Sequence, residues 1–194
     1  FNEINNFLET NYSGFFSTDF YSSEIIKNEV WFGSDGRVVV YDKRSDFFRT
    51  LGYEKGIPSQ RIEFIEYLDG KVYIASKSDL IVLDRKSKKI INSQISNLIK
   101  RNNLSISYLD VIDEKLHLSL NGRVYVFDKE ENINVKKFEF LFKEDFRVNG
   151  IYGTENFLFF SSENGILNIR DNKFIPSSLY FNNKVNDILL INNN

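Results

Sequence analysis

Apolar and polar residues alternate along this chain in short runs closed by polar turns, and the runs repeat. The fourteen residues Glu29-Val-Trp-Phe-Gly-Ser-Asp-Gly-Arg-Val-Val-Val-Tyr-Asp42 recur as Lys71-Val-Tyr-Ile-Ala-Ser-Lys-Ser-Asp-Leu-Ile-Val-Leu-Asp84 and as Lys115-Leu-His-Leu-Ser-Leu-Asn-Gly-Arg-Val-Tyr-Val-Phe-Asp128. A weaker fourth copy runs from Phe157 to Arg170, so the copies close at intervals of 42, 44 and 42 residues without a gap. Period-two alternation of β-branched and aromatic residues on both sides of a short turn predicts two half-buried antiparallel strands joined by a hairpin. Asp35-Gly36, Asn121-Gly122 and Asn164-Gly165 supply the positive φ of such turns. A further strand precedes a copy (Arg61 to Tyr67, Ile106 to Ile112) and another follows one (Asp46 to Leu51, Lys173 to Pro176).

Four strands in each unit of about 43 residues predict an all-β chain, a β-propeller segment of four consecutive four-stranded blades. The expected divisions are an outer strand of a preceding blade with a linker over 1–19, blades over 20–57, 58–104, 105–147 and 148–184, and the first strand of a next blade over 185–194. Extending the period past both ends leaves the terminal strands without blade mates. The expectation is therefore an open arc of a larger propeller, completed by its remaining blades or by another chain. Asn92 to Asn103 reads as an insertion that spaces Ile95, Leu98 and Ile99 for a helical turn. In the second strand of each unit Trp31, Tyr73, His117 and Phe159 share a face with Gly33, Ala75, Ser119 and Ser161, a column of small residues where neighbouring blades must approach.

Composition narrows the function classes. The 194 residues hold 25 Lys+Arg against 27 Asp+Glu, one His and no Cys. A net charge of -2 offers no excess for neutralising phosphates, so nucleic acid is not an expected partner. No uncharged run reaches the length of a membrane span. The missing cysteines exclude a disulfide scaffold, a thiolate metal site and a cysteine nucleophile, and leave the compartment open. No Gly-rich phosphate loop or nucleophile elbow is present, so neither an enzyme nor a cofactor is expected.

His117 falls in a column of aromatic residues and reads as a packing residue. Asp42, Asp84 and Asp128 close their strands at matching positions, where a carboxylate can accept backbone N–H bonds from the following turn. A calcium site built from these three would need ligands within about a dozen residues. The lysine clusters at Lys86, Lys88 and Lys89 and at Lys136 and Lys137 read as charges that block pairing at an outer edge. Asn11 and Asn103 open glycosylation-type triplets of the kind an asparagine-rich chain contains by chance.

The run Val30 to Asp42, with blade starts such as Gly56-Ile-Pro-Ser-Gln-Arg-Ile62 and Leu68-Asp-Gly-Lys-Val-Tyr-Ile74, resembles the two-component regulator propeller repeat. The likeness is best in the first two units and weakest in the fourth, where Arg170 stands in place of the closing Asp. That family occurs as tandem blades in the extracytoplasmic sensor regions of hybrid histidine kinases of Bacteroidetes and in some cell-surface secretion accessory proteins. The resemblance implies a non-enzymatic module, periplasmic or at the cell surface, that binds a glycan-derived or other small ligand for signal transduction. The alternative is a scaffold that contacts a protein partner.

Strand direction places the loops between blades and the turns between second and third strands on one rim, with the Asp42-type turns on the other. Function concentrates on such loops. The candidate ligand contacts on the shared rim are Asp35, Tyr53, Arg61, Lys77, Asn121, Arg147 and Glu163.

Overall fold

The computed structural model describes residues 19–133, 148–154, 157–162, 165–168 and 173–176. The first blade is a four-stranded antiparallel meander of β1 (Ser22–Ile26), β2 (Glu29–Ser34), β3 (Arg37–Asp42) and β4 (Phe47–Leu51). The second holds β5 (Phe64–Leu68), β6 (Lys71–Ala75) and β7 (Leu80–Asp84), and the third β8 (Ile106–Ile112), β9 (Lys115–Leu120) and β10 (Arg123–Phe127). The fourth is again four-stranded, with β11 (Val148–Thr154), β12 (Phe157–Ser162), β13 (Gly165–Asn168) and β14 (Lys173–Pro176). This is the β-propeller architecture that the repeat predicts. The innermost strands touch in the order β1, β5, β8, β11, and among the described residues no comparable contact joins β11 back to β1.

Blades two and three depart from the expected four strands. In blade two the outer strand shrinks to a single bridge between Leu83 and Ile90, after which the chain turns into helix α1 (Gln94–Asn102). Ser93 caps this helix with its hydroxyl on the Ser96 N–H at 3.1 Å, and Asn103 ends it with a left-handed φ of 49°. Ile95 and Ile99 point into the core beside β7, so α1 covers an edge that would otherwise be open to pairing. The insertion is thus a nine-residue helix rather than one turn. In blade three the outer position begins with a bridge between Phe127 and Ile133; the following residues 134–147, which include Lys136, Lys137 and Arg147, lie outside the described residues.

Each interface between blades is a separate apolar layer. Trp31, Val38 and Val40 of blade one pack with Ile65, Val72 and Ile74 of blade two. Tyr73, Val82 and the helix residues Ile95 and Ile99 pack with Leu109, Leu116 and Leu118 of blade three. Ile112, Val124 and Val126 pack with Ile151 and Phe160 of blade four. The small-residue column has the expected role: a Cβ on Gly33 would lie 2.7 Å from Cγ2 of Ile62 and collide with the Ser22 hydroxyl, while Ala75, Ser119 and Ser161 are fully buried.

The blades are also laced by backbone bonds at one rim. Each hairpin turn binds the entry to the next blade's first strand, through Ile62 N to Ser34 O at 3.0 Å, Ile106 N to Lys77 O at 2.7 Å and Val148 N to Gly122 O at 2.9 Å. Arg61, expected to begin the inner strand, instead bridges to Asp35 of blade one, and β5 starts at Phe64.

Candidate functional site

The rim brings some of the candidate residues together. Asp35 and Arg61 form an exposed ion pair at 3.7 Å. Tyr21 joins them, donating its hydroxyl to Asp35 Oδ2 at 3.2 Å and lying under the Arg61 guanidinium, 3.8 Å from ring centroid to Cζ. Lys77 sits one blade further on, 3.7 Å from Glu63, and beside it Ser78 donates to Gln60 at 2.8 Å. Asn121 is a turn residue with φ of 49° whose side-chain oxygen accepts the Ser105 N–H at 2.8 Å. Tyr53 stands apart in a 3-10 turn, 79% exposed. Arg147 and Glu163 lie outside the described residues. Asp35, Arg61 and Tyr21 thus tie blade one to blade two, while the Lys77, Ser78 and Asn121 contacts hold turns within their own blades.

At the opposite rim the aspartates cap their turns as expected. Asp42 accepts from Arg44 N at 2.9 Å, Asp84 from Ser87 N at 2.7 Å and Asp128 from Asn132 N at 2.8 Å. These backbone and side-chain donors hold all three carboxyls below the usual range. His117 is buried, with Nδ1 3.2 Å from Lys115 O, in keeping with packing.

Lys88 requires a correction. It does not block an outer edge; its ammonium is buried against Glu29 Oε1 at 2.7 Å and over the Trp31 ring at 4.5 Å, and Arg85 meets the other Glu29 oxygen at 2.9 Å. A related contact with the charges exchanged joins blades two and three, where Lys71 reaches Glu131 Oε1 at 3.5 Å and Lys129 O at 2.9 Å.

The most distinctive chemistry lies on the innermost strands. Glu24 on β1, Glu66 on β5 and Asp110 on β8 occupy one register position, opposite Trp31, Tyr73 and His117 on the second strands, and Tyr152 on β11 continues the column. Burial pushes the Glu66 carboxyl up to about 9, with the Asp110 and Glu24 charges adding to it. Burial also raises Glu24 and Asp110 above the usual carboxylate range. Tyr108, two residues before Asp110 on the same strand face, donates its hydroxyl to Asp110 Oδ2 at 3.2 Å. Its ring lies 5.9 Å from Phe64 and 6.0 Å from Tyr152. Gly150 leaves the space that the Tyr152 hydroxyl occupies. Three carboxyl groups, phenols and aromatic faces thus share a single inner wall. The rim argument missed this column, although its members recur at the intervals of the repeat itself, 42, 44 and 42 residues.

No protein-family model matches this sequence, and no curated protein matches it. Solved structures do match in fold. The extracellular domain of BT4673 from B. thetaiotaomicron is 15% identical with a TM-score of 0.63, over 90% of this chain and 24% of that one. The WD40 domain of Pan2 from Neurospora crassa is 10% identical with a TM-score of 0.54, over 80% of this chain and 50% of that one. The dihydro-heme d1 dehydrogenase NirN is 13% identical with a TM-score of 0.55, over 76% of this chain and 33% of that one. At these identities the likeness establishes the propeller fold, which serves enzymes and non-enzymes alike.

Proposed function

We propose that this chain is a non-enzymatic recognition segment of a periplasmic or cell-surface sensor propeller, and that it binds a hydroxyl-rich, glycan-derived small ligand along the inner strands. The inner column supports this reading. Glu66 in its protonated form donates, the Glu24 and Asp110 carboxyl oxygens and the Tyr108 hydroxyl oxygen accept, and Phe64 and Tyr108 offer ring faces, a mixed set suited to adjacent sugar hydroxyls and C–H faces. Likeness in fold to extracellular domains assigned to hybrid two-component systems agrees with it. No helix among the described residues is long and apolar enough to cross a membrane, so a span and a signalling output would be supplied by other segments.

A thermal-shift screen against neutral oligosaccharides tests the reading, since a ligand that binds the folded state raises its melting temperature. Stabilisation by a member of the panel, reduced in Tyr108→Phe and Glu66→Gln, is the expected result. No stabilisation by any oligosaccharide, together with a protein recovered in pull-downs, would favour the scaffold of a cell-surface or secretion-associated protein instead.

A further inference from the structure

A cleft of about 380 Å³ lies between α1 and the end of β10, away from the inner column. One wall is a single helical stripe of Gln94, Asn97, Leu98 and Arg101, whose i, i+3, i+4 and i+7 spacing puts them on one face. Glu131 and Ile133 belong to the facing wall. The polar groups here differ in what they already bind. Glu131 is 4% exposed; its Oε2 takes the Ser93 hydroxyl and the backbone N–H groups of Gln94 and Ile95, whereas Oε1 meets Lys71 at 3.5 Å. Lys100 is paired with Asp79, but the guanidinium of Arg101 and the carboxamide of Gln94 have no partner among the described residues. Half-buried Leu98 and Ile133, 46% exposed, add an apolar surface.

We propose that this cleft docks a short extended peptide bearing a carboxylate. The carboxylate sits on Arg101, whose planar fork matches it and which forms no ion pair among the described residues. The Gln94 carboxamide and the side-chain oxygen of Asn97, whose nitrogen donates to Asn92, pair with peptide groups, and one apolar side chain lies between Leu98 and Ile133. The dimensions agree: Gln94 to Arg101 spans about 10 Å at the helical rise, the reach of about three extended residues. This site is independent of the inner-column reading and can fail without it.

The test titrates the chain with acetyl-Ala-Leu-Ala as the free acid, with the same peptide as its C-terminal amide, and with acetyl-Ala-Leu-Asp-amide, following the α1 amide signals by NMR. Millimolar binding, Kd about 1 mM, is expected for at least one carboxylate peptide, with the uncharged amide at least tenfold weaker. Binding of the free acid alone identifies a chain terminus as the source of the carboxylate, and binding of the Asp peptide alone an acidic side chain. Arg101→Gln exchanges one good helix former for another on an exposed face and should weaken binding at least tenfold with the melting temperature unchanged. No shift of the α1 signals by any peptide at 10-fold above that concentration (about 10 mM), or binding indifferent to Arg101→Gln, overturns the proposal.

Discussion

Glu29 of blade one and Lys88 of blade two meet at 2.7 Å although 59 residues separate them, and the ammonium also lies 4.5 Å from the centre of the buried Trp31 ring. Trp31 donates its indole N–H to the same carboxylate at 3.3 Å. Burial lowers the Lys88 ammonium pKa, and the Glu29 hydrogen bond and charge oppose that shift. Removing one partner leaves the other charge under-solvated, which costs more than the pair contributes. Glu29→Gln should therefore destabilise the chain by about 1–3 kcal/mol. Glu29→Gln with Lys88→Met should recover part of that loss, as read by a double-mutant cycle in urea.

Gly33 is small because Ile62 of the next blade lies against it, not because its backbone needs glycine. Gly33→Ala should cost about 1–3 kcal/mol through overpacking, and because Ile62→Ala removes the Cγ2 that the new methyl would meet, the double variant should cost less than the sum of the two single ones. Equal stability of Gly33→Ala and the parent in chemical denaturation would contradict so close a contact between the two blades.

Glu66 makes stability fall as pH rises. Its folded-state pKa is raised to about 9, so the folded state retains a proton that the unfolded state releases. The contribution is fully present below the unfolded value of 4.5 and is lost as pH rises through about 9. The titratable groups facing it are Glu24 on β1 and Asp110 and Tyr108 on β8. Glu66→Gln should match the parent in mild acid and melt higher than it at pH 8, with melting temperature against pH as the measurement. Asp42, Asp84 and Asp128 act in the opposite sense: their lowered pKa values give stability that is present above the unfolded value and lost as pH falls.

Glu131 holds the start of α1 from the neighbouring blade. Glu131→Ala should leave the Ser93 hydroxyl and the Gln94 and Ile95 amides short of an acceptor and should cost about 1–2 kcal/mol. Hydrogen exchange should quicken in α1 before it does in β6 and β9. Uniform quickening across all three elements would mean that the helix is not a separable unit.

The local features of this chain were legible in its sequence because each is decided within a few residues. Alternation of apolar and polar positions around Asp35-Gly36 makes a hairpin wherever it is placed, and an aspartate closing a strand caps the turn beside it whatever packs above. The blade count, the aspartate caps, the small column from Gly33 to Ser161 and the helical site near Ile95 all follow from such signals. What tertiary structure alone decided is which polar groups meet. Lys86, Lys88 and Lys89 look equivalent in sequence; the left-handed turn residue Lys88, with φ of 57°, is the one aimed at Glu29. Glu131 reads as one more exposed charge until blade stacking sets it under a helix that begins 37 residues earlier. Glu24, Glu66 and Asp110 become one wall because inner strands of successive blades stand side by side. Alternation specifies which face of a strand is apolar, but the partner across an interface is set by how whole sheets stack, and that depends on residues a blade's length apart.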